Sequence, residues 1–176
     1  MNNLDFIQYE STLKASGKTY KKIVFWNRFL RNPTETILTF IPAILSIISM
    51  CFGNFSIFTI IIYVICFAYP IYIFAYQFNS TVNYHLKHRD PAEEAACTMT
   101  VNKAAITADI PDFELNYVYE WDDFTTAYYK YGYYMFFNKG KMIVMLKKSD
   151  MSEKEQAGAD TYIKSCINQN KCKVLF

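Results

Sequence analysis

No Asp, Glu, Lys or Arg occurs from Thr36 to Leu86, whereas both flanks mix charged and apolar positions at short intervals. An uncharged block of fifty-one residues is too long for one membrane span, which needs about 20 apolar residues, and suits two. Gly53-Asn54, a turn dipeptide between two apolar runs, supplies the break. The first helix is expected over 33–52. Asn32 serves as its cap, Pro33 suits the first helical position, and Glu35 sits where a capping-box carboxylate reaches back. The second helix is expected over 55–78. Pro42 and Pro70 fall inside these helices and predict kinks, which lipid tolerates. Beyond Ser and Thr, which bond back to the helix backbone, neither run carries the polar stripe of a hairpin buried in a soluble core. The apolar run starts too far from Met1 for a signal peptide.

Before this hairpin, Tyr20, Ile23, Val24, Trp26, Phe29 and Leu30 recur at spacings of three and four among Lys21, Lys22, Asn27, Arg28 and Arg31, which predicts a short basic helix. Trp and Phe beside a membrane span suit the lipid interface, and packing on the cytoplasmic domain is the alternative. Residues 4–9 partly alternate and read as a short strand.

After the hairpin the period drops to two. Strands are expected at Ala96–Val101, Ala104–Ile110, Glu114–Trp121, Phe124–Lys130, Tyr133–Phe137 and Lys141–Lys147, separated by turn signals such as Pro111-Asp112, Tyr131-Gly132 and Asn138-Lys139-Gly140. Connections this short require antiparallel pairing. Ser152-Glu153-Lys154-Glu155 then opens a helix with a capping box, and Ala159, Tyr162, Ile163, Cys166 and Ile167 form its apolar face. The expected plan is a membrane α-helical hairpin plus an α+β cytoplasmic domain, an antiparallel β-meander with a C-terminal helix. The corresponding division is 1–32, an N-terminal arm; 33–88, the hairpin; and 89–176, the cytoplasmic domain.

Charge gives the hairpin an orientation. Lys14, Lys18, Lys21, Lys22, Arg28 and Arg31 oppose Asp5, Glu10 and Glu35 before the first helix, a net +3, and Lys87, His88 and Arg89 follow the second. Positive flanks on both sides place both termini in the cytoplasm, in a multi-pass bacterial inner-membrane protein with the Gly53-Asn54 turn outside. Anionic lipid attracts such a basic cluster. From Lys87 onward twelve basic and thirteen acidic side chains leave the domain nearly neutral, which argues against nucleic acid.

Composition narrows the classes further. The chain is 52% apolar and 19% charged, with only five Gly and five Pro, which excludes disordered and fibrous classes. Its five Cys lack zinc-ligand spacing, and a reducing compartment needs no disulfide from them. His85 and His88, three apart on a helix end, are two metal ligands without a third. No phosphate loop and no Ser or Cys nucleophile signature is present. No catalytic residue, metal or cofactor is implied.

Trp121-Asp122-Asp123-Phe124 turns a strand end inward, so Trp121 and Phe124 are expected to be structural anchors while the two Asp accept turn N–H groups. Two spans followed by strands, Tyr-Glu-Trp-Asp-Asp-Phe, an aromatic hairpin and a terminal helix resemble the bacterial YcxB-like proteins, and Trp121-Asp122-Asp123-Phe124 is similar to that family's Trp-x-Asp step. The resemblance implies a small membrane-anchored domain with a pleckstrin-homology-like fold and implies no reaction. Family members often carry a Pro where this chain has Leu146 or Lys147.

The aromatic hairpin is the candidate contact surface. Strand alternation sends half of its rings outward, which makes Tyr128, Tyr129, Tyr131, Tyr133 and Tyr134 the candidate partner-binding residues, with packing on the N-terminal arm as the alternative. The expected role is a membrane-anchored binding or scaffold protein whose partner, beyond the bilayer, is a protein or a lipid headgroup; homo-oligomers are compatible with it. The rival role is an immunity protein that protects the membrane against a toxin.

Overall fold

A computed structural model describes residues 5–53, 55–167 and 172–175. They form two units. One joins the described residues of 1–16 to those of 89–176, and the other spans 17–88. This differs from the expected division, which assigned residues 1–32 to a separate arm. The reason is β1 (Ile7–Thr12), which pairs antiparallel with β2 (Ala96–Val101) from Ile7 opposite Val101 to Thr12 opposite Ala96. The helical unit is thus inserted between two neighbouring strands of one sheet. Leu4, the first residue of the expected strand, lies outside the described residues.

Two four-stranded sheets build the first unit. In one, the order is β1-β2-β3-β4, with β3 at Ala105–Ile110 and β4 at Leu115–Glu120. In the other, the order is β7-β6-β5-β8, with β5 at Thr126–Lys130, β6 at Tyr133–Asn138, β7 at Lys141–Lys147 and β8 at Lys173–Leu175. β1 to β7 pair antiparallel within their sheets, and β8 joins β5 in parallel. That parallel pair corrects the expected all-antiparallel meander. The intervening helix α6 (Glu153–Cys166) supplies the long crossover that a parallel strand needs.

Both hairpins around β6 turn on residues with positive φ. Tyr131 and Gly132 stand at +55° and +82°, Lys139 and Gly140 at +45° and +89°, as two-residue type I′ turns require. The Ser152 capping box forms as expected: its hydroxyl accepts from the Glu155 amide, and Glu155 accepts from the Ser152 amide at 2.9 Å. A single core holds Ile7, Met99, Ile106 and Ile110 from the first sheet, Tyr134, Phe136 and Leu146 from the second, and Ala159, Tyr162 and Ile163 from α6.

The second unit is helical. α1 (Gly17–Phe25) runs into a π-helical segment, Trp26–Arg31, and α2 covers Pro33–Cys51. α3 (Ile57–Ile71) continues through a π-helical segment, Tyr72–Gln77, into α4 (Phe78–Lys87), and a single turn, α5 (Pro91–Glu94), belongs to the first unit and precedes β2. The second π segment begins two residues after Pro70, whose ring crowds the carbonyl one turn back and removes a donor. Residues of α2 and of the run Ile57–Lys87 form helices long and apolar enough to cross a membrane, by length and composition.

Two expectations change here. Asn32 makes no side-chain cap, and Glu35 accepts from Arg28 Nε at 2.6 Å instead of reaching back. The second helix starts two residues late, at Ile57, because Ser56 and Thr59 form their own capping box, and it runs nine residues beyond 78. Inside the unit, Phe29, Ile73, Phe78 and Val82 pack with Phe25 and Phe74; the Phe29 and Phe74 ring centroids lie 4.5 Å apart. Ser46 bonds back to Pro42 O, and Ser49 shares a 2.9 Å hydrogen bond with the Tyr63 hydroxyl.

Candidate functional site

The Trp121–Phe124 step folds as a 3-10 turn, Trp121–Asp123, between the two sheets. Both rings are buried. Trp121 meets Phe124 and Phe136 edge-on at 5.9 and 5.8 Å, and its Nε1 donates to Asn102 O at 2.9 Å. Asp123 accepts the Glu120 amide at 3.2 Å. The turn therefore fixes where the chain leaves the first sheet and enters the second.

The aromatic hairpin departs from its expected role. Tyr133, Tyr134, Met135, Phe136 and Phe137 are all buried, so β6 shows no outward face. Alternation divides rings between two faces, but it makes one face wet only where nothing covers it. Tyr134 and Phe136 belong to the main core, while Tyr133, Met135 and Phe137 are buried on the opposite side. Tyr128 is half-buried, its ring edge-on to Phe137 at 5.6 Å. Of the five candidate contact residues only Tyr129 (38% exposed) and Tyr131 (41%) are open. Tyr133 and Tyr134 are corrected from contact surface to packing.

Tyr134 also anchors α6. Its hydroxyl donates to Asp160, whose carboxylate pairs with Lys148 at 3.2 Å, and Lys148 lies 5.2 Å above the Tyr129 ring. Burial, with the Asp160 contact second, pushes the Tyr134 hydroxyl well above its ordinary pKa. Burial acts to raise the Asp160 carboxyl, yet the Tyr134 hydroxyl and Lys148 outweigh it and hold it below the usual range.

Polar bonds also fasten β1 to the far end of the chain. Ser11 donates to Asp150 at 2.7 Å, the Gln8 amide to Glu155 at 2.9 Å, and the Tyr162 hydroxyl to Asp5 O at 2.6 Å. Lys147 Nζ meets Asp150 at 2.5 Å. Burial works to raise the Asp150 and Glu155 pKa values, but hydrogen bonds, from Lys147 and Ser11 to the first and from Ser152 and Gln8 to the second, leave both lowered. Burial pushes the Tyr162 hydroxyl up to about 12.

A groove that residue patterns did not single out lies between β4 and β7. It encloses about 310 Å³ and is lined by Tyr117 and Tyr119 of β4, Lys141 to Met145 of β7, and Leu13, Lys14 and Glu93 at one end. Tyr117 and Tyr119 stack with centroids 6.3 Å apart, and Lys14 pairs with Glu93 at 2.7 Å. β4 and β7 each end a sheet, and among the described residues no strand pairs with their outer edges. Phe113, Leu115, Tyr117 and Val118 are exposed, Val118 by 58%. The signal was present in the sequence as an apolar strand, Leu-Asn-Tyr-Val-Tyr. Its place at the end of a sheet was not, because strand order is set by tertiary pairing.

The metal reading of the Asp pair and of His85 with His88 gains no partner: among the described residues no group of three His, Cys, Asp or Glu is placed to hold an ion. Burial raises the Cys97 and Cys172 thiols above their ordinary values, away from thiolate chemistry. No family model, curated protein or solved structure matches the chain.

Proposed function

We propose that the chain is a two-span membrane protein with both ends cytoplasmic, and that its two-sheet unit binds an extended protein segment along β4. The observation that carries the binding role is β4 itself. It is apolar, accessible on both faces over most of its length, unpaired along one edge and beside a groove. Unused edge strands are normally short, charged or covered. A segment laid along β4 gains main-chain hydrogen bonds, and Tyr117 and Tyr119 receive its inward side chains.

The membrane role is supported by the helices' surfaces. The most apolar windows of the two candidate spans are only 17% and 11% buried, unlike core helices. Ile37, Leu38, Ile44, Leu45, Ile47 and Ile48 of α2 point outward. The positive flanks set the orientation. For the domain, the proposed reading is pleckstrin-homology-like, and it rests on β1 to β7, which pair antiparallel within two sheets, followed by α6.

A photoreactive residue in place of Ile143, on β7, tests the groove in cells. It is expected to form a protein adduct whose yield falls roughly tenfold or more with Tyr117→Ala, while the melting temperature holds. An adduct unaffected by Tyr117→Ala would sink the binding reading. For the topology, an impermeant thiol reagent on spheroplasts should reach Cys51, which is exposed near the turn, and spare Cys166, which is half-buried. Labelling of Cys166 alone would reverse the orientation.

A further inference from the structure

The helical unit contains a second pocket, within α1, its π extension, the start of α2, and α4. It encloses about 350 Å³, at the small end of ligand sites. Its lining combines apolar Val24, Phe78 and Val82 with Arg28, Glu35 and His85. From this chemistry we infer that the pocket holds the headgroup of a zwitterionic phospholipid with a primary amine, an ethanolamine phosphodiester. The inference rests on the membrane reading above.

Three observations specify the ligand. The first is depth. Glu35 lies in the first turn of α2, and the fifty-one-residue uncharged block begins at the next residue, Thr36. The pocket thus lies where polar chain gives way to hydrocarbon-compatible chain, the level of phosphates in a bilayer.

The second is the paired charge. Arg28 and Glu35 meet at 2.6 Å through Nε, so this bond leaves the two terminal amino groups of the guanidinium for a phosphate fork. The side chains are 31% and 54% exposed, so the pair is reachable and its separation costs little. Phosphate on Arg28 and ammonium on Glu35 replace one ion pair by two. A purely anionic headgroup would set its charge against Glu35, and a choline headgroup has no N–H to give that carboxylate.

The third is the apolar wall. Val24, half-buried, lines the pocket beside the buried Phe78 and Val82, and gives the glycerol and first acyl carbons an apolar contact that a free phosphoethanolamine does not use.

The test is native mass spectrometry of the full chain released from nanodiscs holding equal phosphatidylethanolamine, phosphatidylglycerol and phosphatidylcholine. The wild type is expected to retain one phosphatidylethanolamine, favoured about tenfold over either competitor. Glu35→Gln removes the ammonium partner and should shift retention to phosphatidylglycerol. Arg28→Gln should abolish retention of both. Millimolar phosphoethanolamine should not displace the lipid; displacement would reassign the pocket to a soluble ligand and overturn the lipid inference. Retention of phosphatidylglycerol by the wild type, or no change with Glu35→Gln, would also overturn it. If the chain stays in carbonate-washed membranes but retains no lipid, this inference fails and the membrane reading stands. If the chain leaves the membranes with carbonate, both fail.

Discussion

Strands β6 and β4 are drawn from similar residues, Tyr-Tyr-Met-Phe-Phe in one and Leu-Asn-Tyr-Val-Tyr in the other, and occupy opposite environments. β6 is central, paired on both edges and buried on both faces. β4 is terminal, paired on one edge and exposed on most of both faces. Composition says that a strand is apolar. Its position in the sheet order decides whether the apolar rings become core or exposed surface. The same tyrosine excess therefore occupies two environments, and they should separate under mutation.

The largest separation is expected between the centres of the two strands. Phe136→Ala removes a ring packed at 5.0 Å on Phe124 and 5.8 Å on Trp121, and should cost about 3–5 kcal/mol. That is comparable to the whole stability of a small domain. Limited proteolysis should then cut within 89–176 and spare residues 17–88. Val118→Ala on β4 should cost under about 1 kcal/mol by thermal melting. Equal losses would mean that β4 is buried in the working protein and would end the contrast. Trp121→Ala should match Phe136→Ala, and the double variant should fall short of their sum, because the two rings share one contact.

A smaller effect tests the tie between β6 and α6. Tyr134→Phe keeps the ring and deletes the hydroxyl bond to Asp160, which should cost about 1 kcal/mol. Hydrogen exchange should quicken in α6 and leave β4 unchanged.

Acid should loosen the fastening of β1 and the Tyr134–Asp160 tie while leaving β3 alone. The Asp150 and Glu155 carboxyls are held below their ordinary values in the folded chain. The stability they contribute is complete above the ordinary carboxylate range and is lost as pH falls through their folded values. Exchange of the Gln8 amide, which donates to Glu155, should accelerate as pH falls below about 5, relative to β3 amides. Asp150→Asn should remove part of that acid sensitivity. An acid response as large in β3 as in β1 would contradict it.

The smallest change in stability is expected for Tyr117→Ala, within about 0.5 kcal/mol, together with the largest loss of adduct at the groove.

Local pattern reached far along this chain. β2 and β7 end at the expected residues, the Ser152 box caps α6, and Pro33 starts α2. Each is decided by residues within one turn or one strand length. What the pattern missed was decided elsewhere. The partner of β1 lies more than eighty residues away, with the helices in between. The second face of β6 is buried by tertiary packing, which a period of two does not encode. Glu35 had two acceptable donors, its own helix start and Arg28, and local spacing does not rank them. For the groove, the apolar residues were legible and the sheet edge was not.

The insertion of residues 17–88 between β1 and β2 sets a timetable for synthesis. β1 emerges from the ribosome first, yet Thr12 must wait for Ala96, eighty-four residues later. At about 5–20 residues per second that delay is on the order of ten seconds. During that interval both apolar helices are translated and become available for insertion, while β1 has no strand to pair with. A nascent chain stalled before β2 would carry the two apolar helices and an unpaired β1, open to chaperones and proteases. Completion of the domain is therefore a late event that follows synthesis of every element from β1 to β8.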